Sequence, residues 1–202
     1  TKRCKHAKGE DKDYIDAAIK NNLDILGFSD HGPYPDNRFN LRMNFNELEE
    51  YKSTLEKLKI KFKNFIQIKI GLEIEYLPSD DFYYNYLKNE LKFDYLALGQ
   101  HLFLTENGEL KNTYSLKNTK EYIEYAKSIC LGIKSGYFDF VAHPDLIFIN
   151  DFPWDENCDK ACNLIIDTAK KYDFILEFNA NGIRRGKKKY SDGERFPYPY
   201  EK

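Results

Sequence analysis

The chain has 202 residues, of which 42% are hydrophobic and 16% aromatic, enough to bury the core of one domain. Its 31 Lys and Arg nearly balance 33 Asp and Glu, and the net charge of −2 argues against a basic surface for nucleic acid or an anionic membrane. The sequence shows neither a spanning apolar stretch nor a signal peptide, so a cytoplasmic protein without a membrane partner is predicted.

Short apolar runs alternate with longer amphipathic stretches, a pattern that is typical of repeated βα units. The predicted elements are, in chain order, a helix over 14–22, a strand over 24–31, a helix from Asn44 or Asn46 to Leu58, a strand over 66–73, a helix over 82–91, a strand over 95–101, a helix from Asn118 or Thr119 to Ile133, a strand over 138–143, a helix over 156–172 and a strand over 174–179. Since no linker, charge block or internal repeat divides the chain, we expect one domain over residues 1–202.

Each predicted strand ends in a residue that can bind a metal or a polar ligand. These residues are His31, Glu73, His101, His143 and Asn179. The carboxyl ends of parallel strands open onto one face of a barrel or a doubly wound sheet, so we expect these side chains to converge. A single histidine at a strand end is more often structural than a ligand, but three of the four histidines in this chain end such strands.

Carboxylates accompany these histidines. Asp30 precedes His31, and Asp145 follows His143 after a proline, as expected for a ligand with a neighbouring polar partner. Glu73 and Glu75 share a strand face by the two-residue period, and either could be the carboxylate ligand. A site of histidines and carboxylates suits zinc, manganese or iron, and the sequence does not discriminate among them.

The four cysteines are too few and too unevenly spaced to indicate a disulfide scaffold. Cys158 and Cys162 would share one helical face and could hold a metal, but burial as small apolar side chains explains them as well.

Taken together, six segments resemble the PHP (polymerase and histidinol phosphatase) superfamily, and within it the monofunctional histidinol phosphatases. They are Arg3-Cys-Lys-His-Ala7, Gly27-Phe-Ser-Asp-His-Gly-Pro33, Gly71-Leu-Glu73, Leu98-Gly-Gln-His101, Val141-Ala-His-Pro-Asp-Leu146 and Leu176-Glu-Phe-Asn-Ala-Asn-Gly-Ile-Arg184. The resemblance covers nearly the whole chain, and the segments in this order are specific although no single one is.

The resemblance implies an α/β fold, a distorted (β/α)7 TIM-like barrel with a trinuclear centre of divalent metals at the carboxyl ends of its strands. By the same resemblance, Glu73 would bridge two metals, His101 and His143 would complete one site, and His6 with His31 would serve the third metal. The family also opens with a His-x-His strand and closes with an Asp-x-His motif, and neither occurs here. We therefore expect that both natural ends, with the first and last strands, lie outside this sequence.

The implied reaction is metal-dependent hydrolysis of a small phosphate monoester, histidinol phosphate, in histidine biosynthesis. Such a reaction needs cations on the nonbridging oxygens. Arg184 is the first candidate, Arg185 the second and Arg42 a third, with Asn179 as a further substrate contact; Arg184 and Asp30 are the candidate catalytic residues.

Two alternatives stay open at this point. One is a PHP phosphoesterase that acts on a nucleotide or an oligonucleotide, which the near-neutral net charge disfavours for long nucleic acid. The other is a catalytically silent PHP module that binds metal for structural reasons. The sequence leaves the metals, the alcohol and the oligomeric state undetermined.

Overall fold

The computed structural model describes residues 1–5 and 7–200. Its α-helices are α1 (Asp11–Lys20), α2 (Leu48–Phe62), α3 (Asp81–Asn85), α4 (Lys120–Ser135), α5 (Glu156–Lys171) and α6 (Asn181–Arg184). Its strands are β1 (Ile25–His31), β2 (Gln67–Ile74), β3 (Tyr95–Leu98), β4 (Leu102–Leu104), β5 (Leu110–Asn112), β6 (Phe140–Val141), β7 (Ile175–Leu176), β8 (Lys188–Tyr190) and β9 (Gly193–Arg195). Within the described residues, no helix combines the length and the apolar character needed to cross a lipid bilayer.

The chain divides into two compact units, with boundaries after β2, after α3 and within β3. The first unit comprises Thr1–Ile74 and Tyr86–Leu96, and the second comprises Glu75–Asn85 and Ala97–Lys202. The prediction of one domain over residues 1–202 stays a prediction.

The first unit is built on a parallel ladder. β1 pairs with β2 from Ile25 opposite Gln67 to His31 opposite Glu73, and β2 is hydrogen-bonded to β3. The aromatic ring of Tyr95 covers Gly27 and Gly71, where a Cβ atom would come within 2.6 Å of the tyrosine. α2 packs on this ladder through the buried Tyr51, whose hydroxyl donates to the Gly71 carbonyl at 2.9 Å. The two glycines therefore allow an aromatic side chain to lie flat against the strands.

The second unit has shorter strands and a larger helical layer. The end of β3 pairs in parallel with β6, and β6 pairs in parallel with β7. α4 and α5 pack against each other and bury an apolar core that includes Tyr125, Ile129 and Ile165. α5 begins at a capping residue, Asp155, whose carboxylate accepts the Asn157 N–H at 2.9 Å.

The predicted α/β class with parallel strands is confirmed, and each predicted strand and helix occurs near its expected place. Asn44, one of the two predicted caps, forms a capping box with Glu47 ahead of α2. Gly136 ends α4 in the left-handed conformation, as expected.

Several predicted bounds were wrong. The strand expected over 95–101 ends at Leu98, that over 138–143 is only β6, and that over 174–179 is only β7. Beyond Leu98 the Gln100 side chain bonds the Tyr76 backbone, and beyond Val141 the His143 N–H donates to the Glu177 carboxylate. Side-chain hydrogen bonds therefore take part where these strands end. The helix expected over 82–91 is α3 followed by a wider π turn over Tyr86–Glu90. The hairpins β4–β5 and β8–β9 were not predicted.

Candidate metal centre

In the first unit, His31 and Glu73 lie side by side at the last rung of the ladder between β1 and β2. The distance from His31 Nε2 to Glu73 Oε2 is 3.8 Å, which is too long for a hydrogen bond. Two ligand atoms bound to one ion at about 2.1 Å lie at most about 4.2 Å apart. Both residues offer a ligand atom, and the pair therefore fits a shared divalent cation.

The ring of His31 is oriented by the loop that follows β1. Its Nδ1 lies 3.0 Å from the carbonyl oxygen of Leu41, which can only accept, so Nδ1 carries the proton and Nε2 carries the lone pair. Leu41 itself has a positive φ of 58°. The His31 backbone N–H donates to Cys4 Sγ at 3.0 Å, and burial raises the pKa of the Cys4 thiol to about 12. Cys4 thus stays protonated and supports the strand rather than acting as a thiolate ligand.

A polar pocket of about 360 Å³ lies in the same loop region of the first unit. It is lined by Lys5, Asn37, Phe39, Asn40, Leu41, Arg42, Met43 and Asn44. Arg42 is buried, and its Nη1 donates to the Gly32 carbonyl at 2.8 Å. The two cations and three side-chain amides of this lining have the chemistry that an anion requires.

Asp30 is buried on β1, where its carboxylate accepts from the hydroxyl of Thr1. Neighbouring residues of a strand point to opposite faces, so this carboxylate lies on the face opposite the His31 ring. Adjacency in the sequence therefore does not pair Asp30 with the imidazole next to it.

In the second unit, His101 and His143 lie together, with ring centroids 4.9 Å apart. Both follow the strand that they were predicted to end, since β3 stops at Leu98 and β6 at Val141. His143 is buried and has a positive φ of 34°, which is strained for a residue with a Cβ atom. The His143 N–H donates to Glu177 Oε2 at 2.9 Å, which holds the backbone in this conformation.

Glu177 is a residue of this region that sequence reasoning missed. The same carboxylate oxygen also accepts from Asn179 Nδ2 at 3.0 Å, so Glu177 joins two of the predicted site residues. The sequence contained a signal for this residue: Glu177 lies two residues before Asn179, the spacing that places two side chains on the same face of a strand. The amide oxygen of Asn179 in turn accepts the Asn181 N–H at 2.9 Å. Arg184 and Arg185 follow at the end of α6, and both side chains are exposed.

Glu75 and Glu73 have different neighbours. Glu75 lies just beyond β2 and is fully buried, and its Oε1 is 3.4 Å from His101 Nδ1. Glu73 is the carboxylate next to His31, whereas Glu75 is the one next to His101.

The donor atoms of each unit fit divalent metals. His31 with Glu73, and His101 with His143, supply imidazole nitrogens and carboxylate oxygens, the set that zinc, manganese and iron accept. Cys158 is buried in α5, and burial raises the pKa of its thiol, which favours apolar packing over metal binding. The prediction for His6 lies outside the described residues.

Comparison with known proteins agrees with this chemistry. The family model described as "PHP domain" matches residues 1–181. A protein of Deinococcus radiodurans named "Probable histidinol-phosphatase" is 27% identical over 153 residues, which are 72% of this chain and 58% of that protein. The chain thus spans 58% of the length of this curated relative.

Two solved structures share the fold. HisK of Listeria monocytogenes superposes with a TM-score of 0.75 at 19% identity, over 91% of this chain and 81% of that one. Histidinol phosphate phosphatase of Lactococcus lactis, complexed with zinc, L-histidinol and phosphate, superposes with a TM-score of 0.65 at 20% identity, over 87% of this chain and 68% of that one.

Proposed function

Because the chain belongs to the PHP domain family, we propose that it is a metal-dependent phosphomonoesterase that hydrolyses L-histidinol phosphate to L-histidinol and phosphate. The observation that carries the proposal is the placement of imidazole and carboxylate donors at or just beyond the carboxyl ends of parallel strands in both units. The name of the Deinococcus relative and the ligands of the Lactococcus structure support this substrate. A cytoplasmic role in histidine biosynthesis belongs to the same proposal.

The proposed metal ligands are His31, Glu73, His101 and His143, with His6 as the fifth. The proposed group is a cluster of three divalent ions of zinc, manganese or iron. When bound, such ions supply a hydroxide nucleophile near neutral pH and offset the negative charge of the departing alkoxide. The protein's part is to hold the ligand atoms in place, and the anchoring of His31 Nδ1 by Leu41 is one example.

The phosphate group needs positive charge on its nonbridging oxygens, because most of the catalysis of phosphoryl transfer is positioning and charge stabilisation. Arg184 is the proposed first contact and Arg185 the second, since both are exposed cations at the end of α6. Arg42 is the proposed third contact, from the pocket in the first unit. Asn179 is proposed as a substrate contact near Glu177, and Asp30 as a further catalytic candidate.

The proposal is tested by measuring phosphate release by the purified full-length protein loaded with zinc or manganese. Histidinol phosphate is compared with nucleoside monophosphates, and His143→Ala is compared with Lys160→Ala, a change of an exposed side chain. We expect histidinol phosphate to be strongly preferred. His143→Ala should lose at least about 100-fold, because even indirect partners of a metal ligand contribute about 10- to 100-fold. Turnover of nucleotides alone would change the proposed substrate from histidinol phosphate to a nucleotide. If no ester is hydrolysed, the result would favour a catalytically silent metal-binding module.

A further inference from the structure

The second unit buries a carboxylate that the proposed reaction does not use. Glu75 is fully buried, and its Oε1 lies at ion-pair distance, 3.4 Å, from His101 Nδ1. A buried carboxylate is costly unless it faces a positive or hydrogen-bonding group. The imidazole of His101 is such a group, so the two residues have a defined relation within this unit.

The backbone on both sides of this pair is fixed by the side chain of Gln100. Its Oε1 accepts the Tyr76 N–H at 2.9 Å, and its Nε2 donates to the Tyr76 carbonyl at 3.0 Å. Gln100 precedes His101, and Tyr76 follows Glu75, so these two bonds join the chain segments that carry the pair. The Gln100 side chain is fully buried, and its Nε2 also donates to Ser128 Oγ. The separation of Glu75 from His101 is therefore imposed by the fold.

The plane of the His101 ring is also restrained. The ring of Tyr114 lies parallel to it, with an interplanar angle of 4° and centroids 6.2 Å apart. The His101 carbonyl accepts the Thr113 N–H at 2.9 Å. A carboxylate can only accept, so the contact with Glu75 favours the tautomer in which His101 Nδ1 is protonated and Nε2 carries the lone pair.

We propose that Glu75 is a positioning residue, whose carboxylate holds His101 through Nδ1 and directs Nε2 of this imidazole toward a divalent metal ion. The proposal rests on the metal-binding part of the proposed function. It assigns different roles to the two carboxylates that the two-residue period left as equal candidates, with Glu73 as a ligand and Glu75 as the partner of a ligand. Carboxylates that accept from the second nitrogen of a metal-bound histidine raise its basicity and fix its orientation.

The test measures zinc binding rather than turnover. Glu75→Gln keeps the size of the side chain and one acceptor oxygen but removes the charge. Zinc affinity is measured by competition with a chromophoric chelator, and zinc stoichiometry at saturation by elemental analysis. We expect an unchanged stoichiometry and an affinity at one ion that is about 10-fold weaker or more. Glu106→Gln, a change at an exposed carboxylate of the same unit, should bind zinc like the unaltered protein.

A second variant separates positioning from folding. Glu75→Asp keeps the charge but shortens the side chain, whereas Glu75→Ala, measured beside it, removes the carboxylate. The zinc affinity of Glu75→Asp should lie between those of the unaltered protein and Glu75→Ala. Circular dichroism and thermal unfolding of the metal-free proteins show whether each variant is folded. If Glu75→Gln does not fold, Glu75→Asp decides by the same measurement.

Two results would overturn the proposal. Unchanged zinc affinity in a folded Glu75 variant would leave the carboxylate with a structural role only. A loss of one whole ion per chain at saturating zinc would make Glu75 itself a ligand. Failure of the proposed function is distinguishable, because a protein whose zinc affinity depends on Glu75 but that hydrolyses no histidinol phosphate contradicts the substrate alone.

Discussion

The two units place their candidate ligands by different means. In the first unit, His31 and Glu73 are opposite residues at the end of a ladder along the whole of β1, so backbone pairing sets their positions. In the second unit, His101 and His143 follow strands that have already ended, and β6 has only two residues. Here polar side chains hold the backbone beside the ligands: Gln100, which is buried, precedes His101, and Glu177, which is partly exposed, accepts the His143 N–H. Single side-chain changes should therefore disturb the second unit more than the first.

The largest effect is expected for Gln100→Leu in the second unit. The change removes both partners of the Tyr76 backbone from a fully buried position. Each unsatisfied buried group costs about 1–3 kcal/mol, so the free energy of unfolding should fall by about 3 kcal/mol or more. Urea unfolding followed by circular dichroism measures it. Gln67→Leu, at an exposed position of β2, is the matched control and should change stability by less than about 0.5 kcal/mol. Equal losses in the two variants would remove the contrast between the units.

A smaller effect is expected for Gly71→Ala, which attacks the ladder of the first unit directly. The new Cβ atom would lie 2.6 Å from ring atoms of Tyr95, whose hydroxyl donates to the Phe28 carbonyl at 2.8 Å. Overpacking of this kind costs about 1–3 kcal/mol. The thermal midpoint should fall in the single variant and recover when Gly71→Ala is combined with Tyr95→Leu, because the clash is then removed. Additive losses in the double variant would show that the tyrosine ring is not the obstacle.

The smallest effect is expected for Asp94→Asn, the first unit's counterpart of the Gln100 contacts. Asp94 Oδ2 accepts from Lys59 Nζ and from the Ile70 N–H, each at 2.8 Å. Burial alone would raise the pKa of this carboxyl, but the lysine and the backbone N–H outweigh it and lower the pKa. The resulting stability is present above the pKa of the unfolded chain, about 3.9, and is lost as the pH falls through the lower folded pKa.

Replacement by asparagine should therefore lower the free energy of unfolding by about 1 kcal/mol at pH 7. Below about pH 4, the stability of the variant should decrease less steeply with pH than that of the unaltered protein. Urea midpoints measured at several pH values between neutrality and acid check both parts. Asp167→Asn, at an exposed position of α5, is the control and should change stability at pH 7 by less than about 0.5 kcal/mol. An unaltered acid profile in Asp94→Asn would mean that the two contacts do not stabilise the folded chain.

The contrast between the units also explains what the sequence could predict. β1, β2 and the convergence of strand-end residues such as His31 and Glu73 follow from apolar runs of sufficient length and from the rule that parallel strands share their carboxyl edge. The ends of β3 and β6 do not follow, because the hydrophobic pattern does not show where side-chain hydrogen bonds take over from the ladder. The roles of Gln100 and Glu177 depend on which loops lie beside them, and the hydrophobic pattern of the sequence does not predict those loop positions. The two-residue period could not separate Glu73 from Glu75 for the same reason, since they differ in environment rather than in spacing.

The positive φ of His143 sets selection for stability against selection for metal binding at a single residue. Glycine is the residue whose backbone adopts this conformation without strain, so a change to glycine would relax the chain at that point. Glycine has no imidazole, however, and the proposed metal ligand would be lost with the side chain. Natural variation should therefore keep a histidine there despite its conformational cost, the trade-off between stability and activity that functional sites show in general.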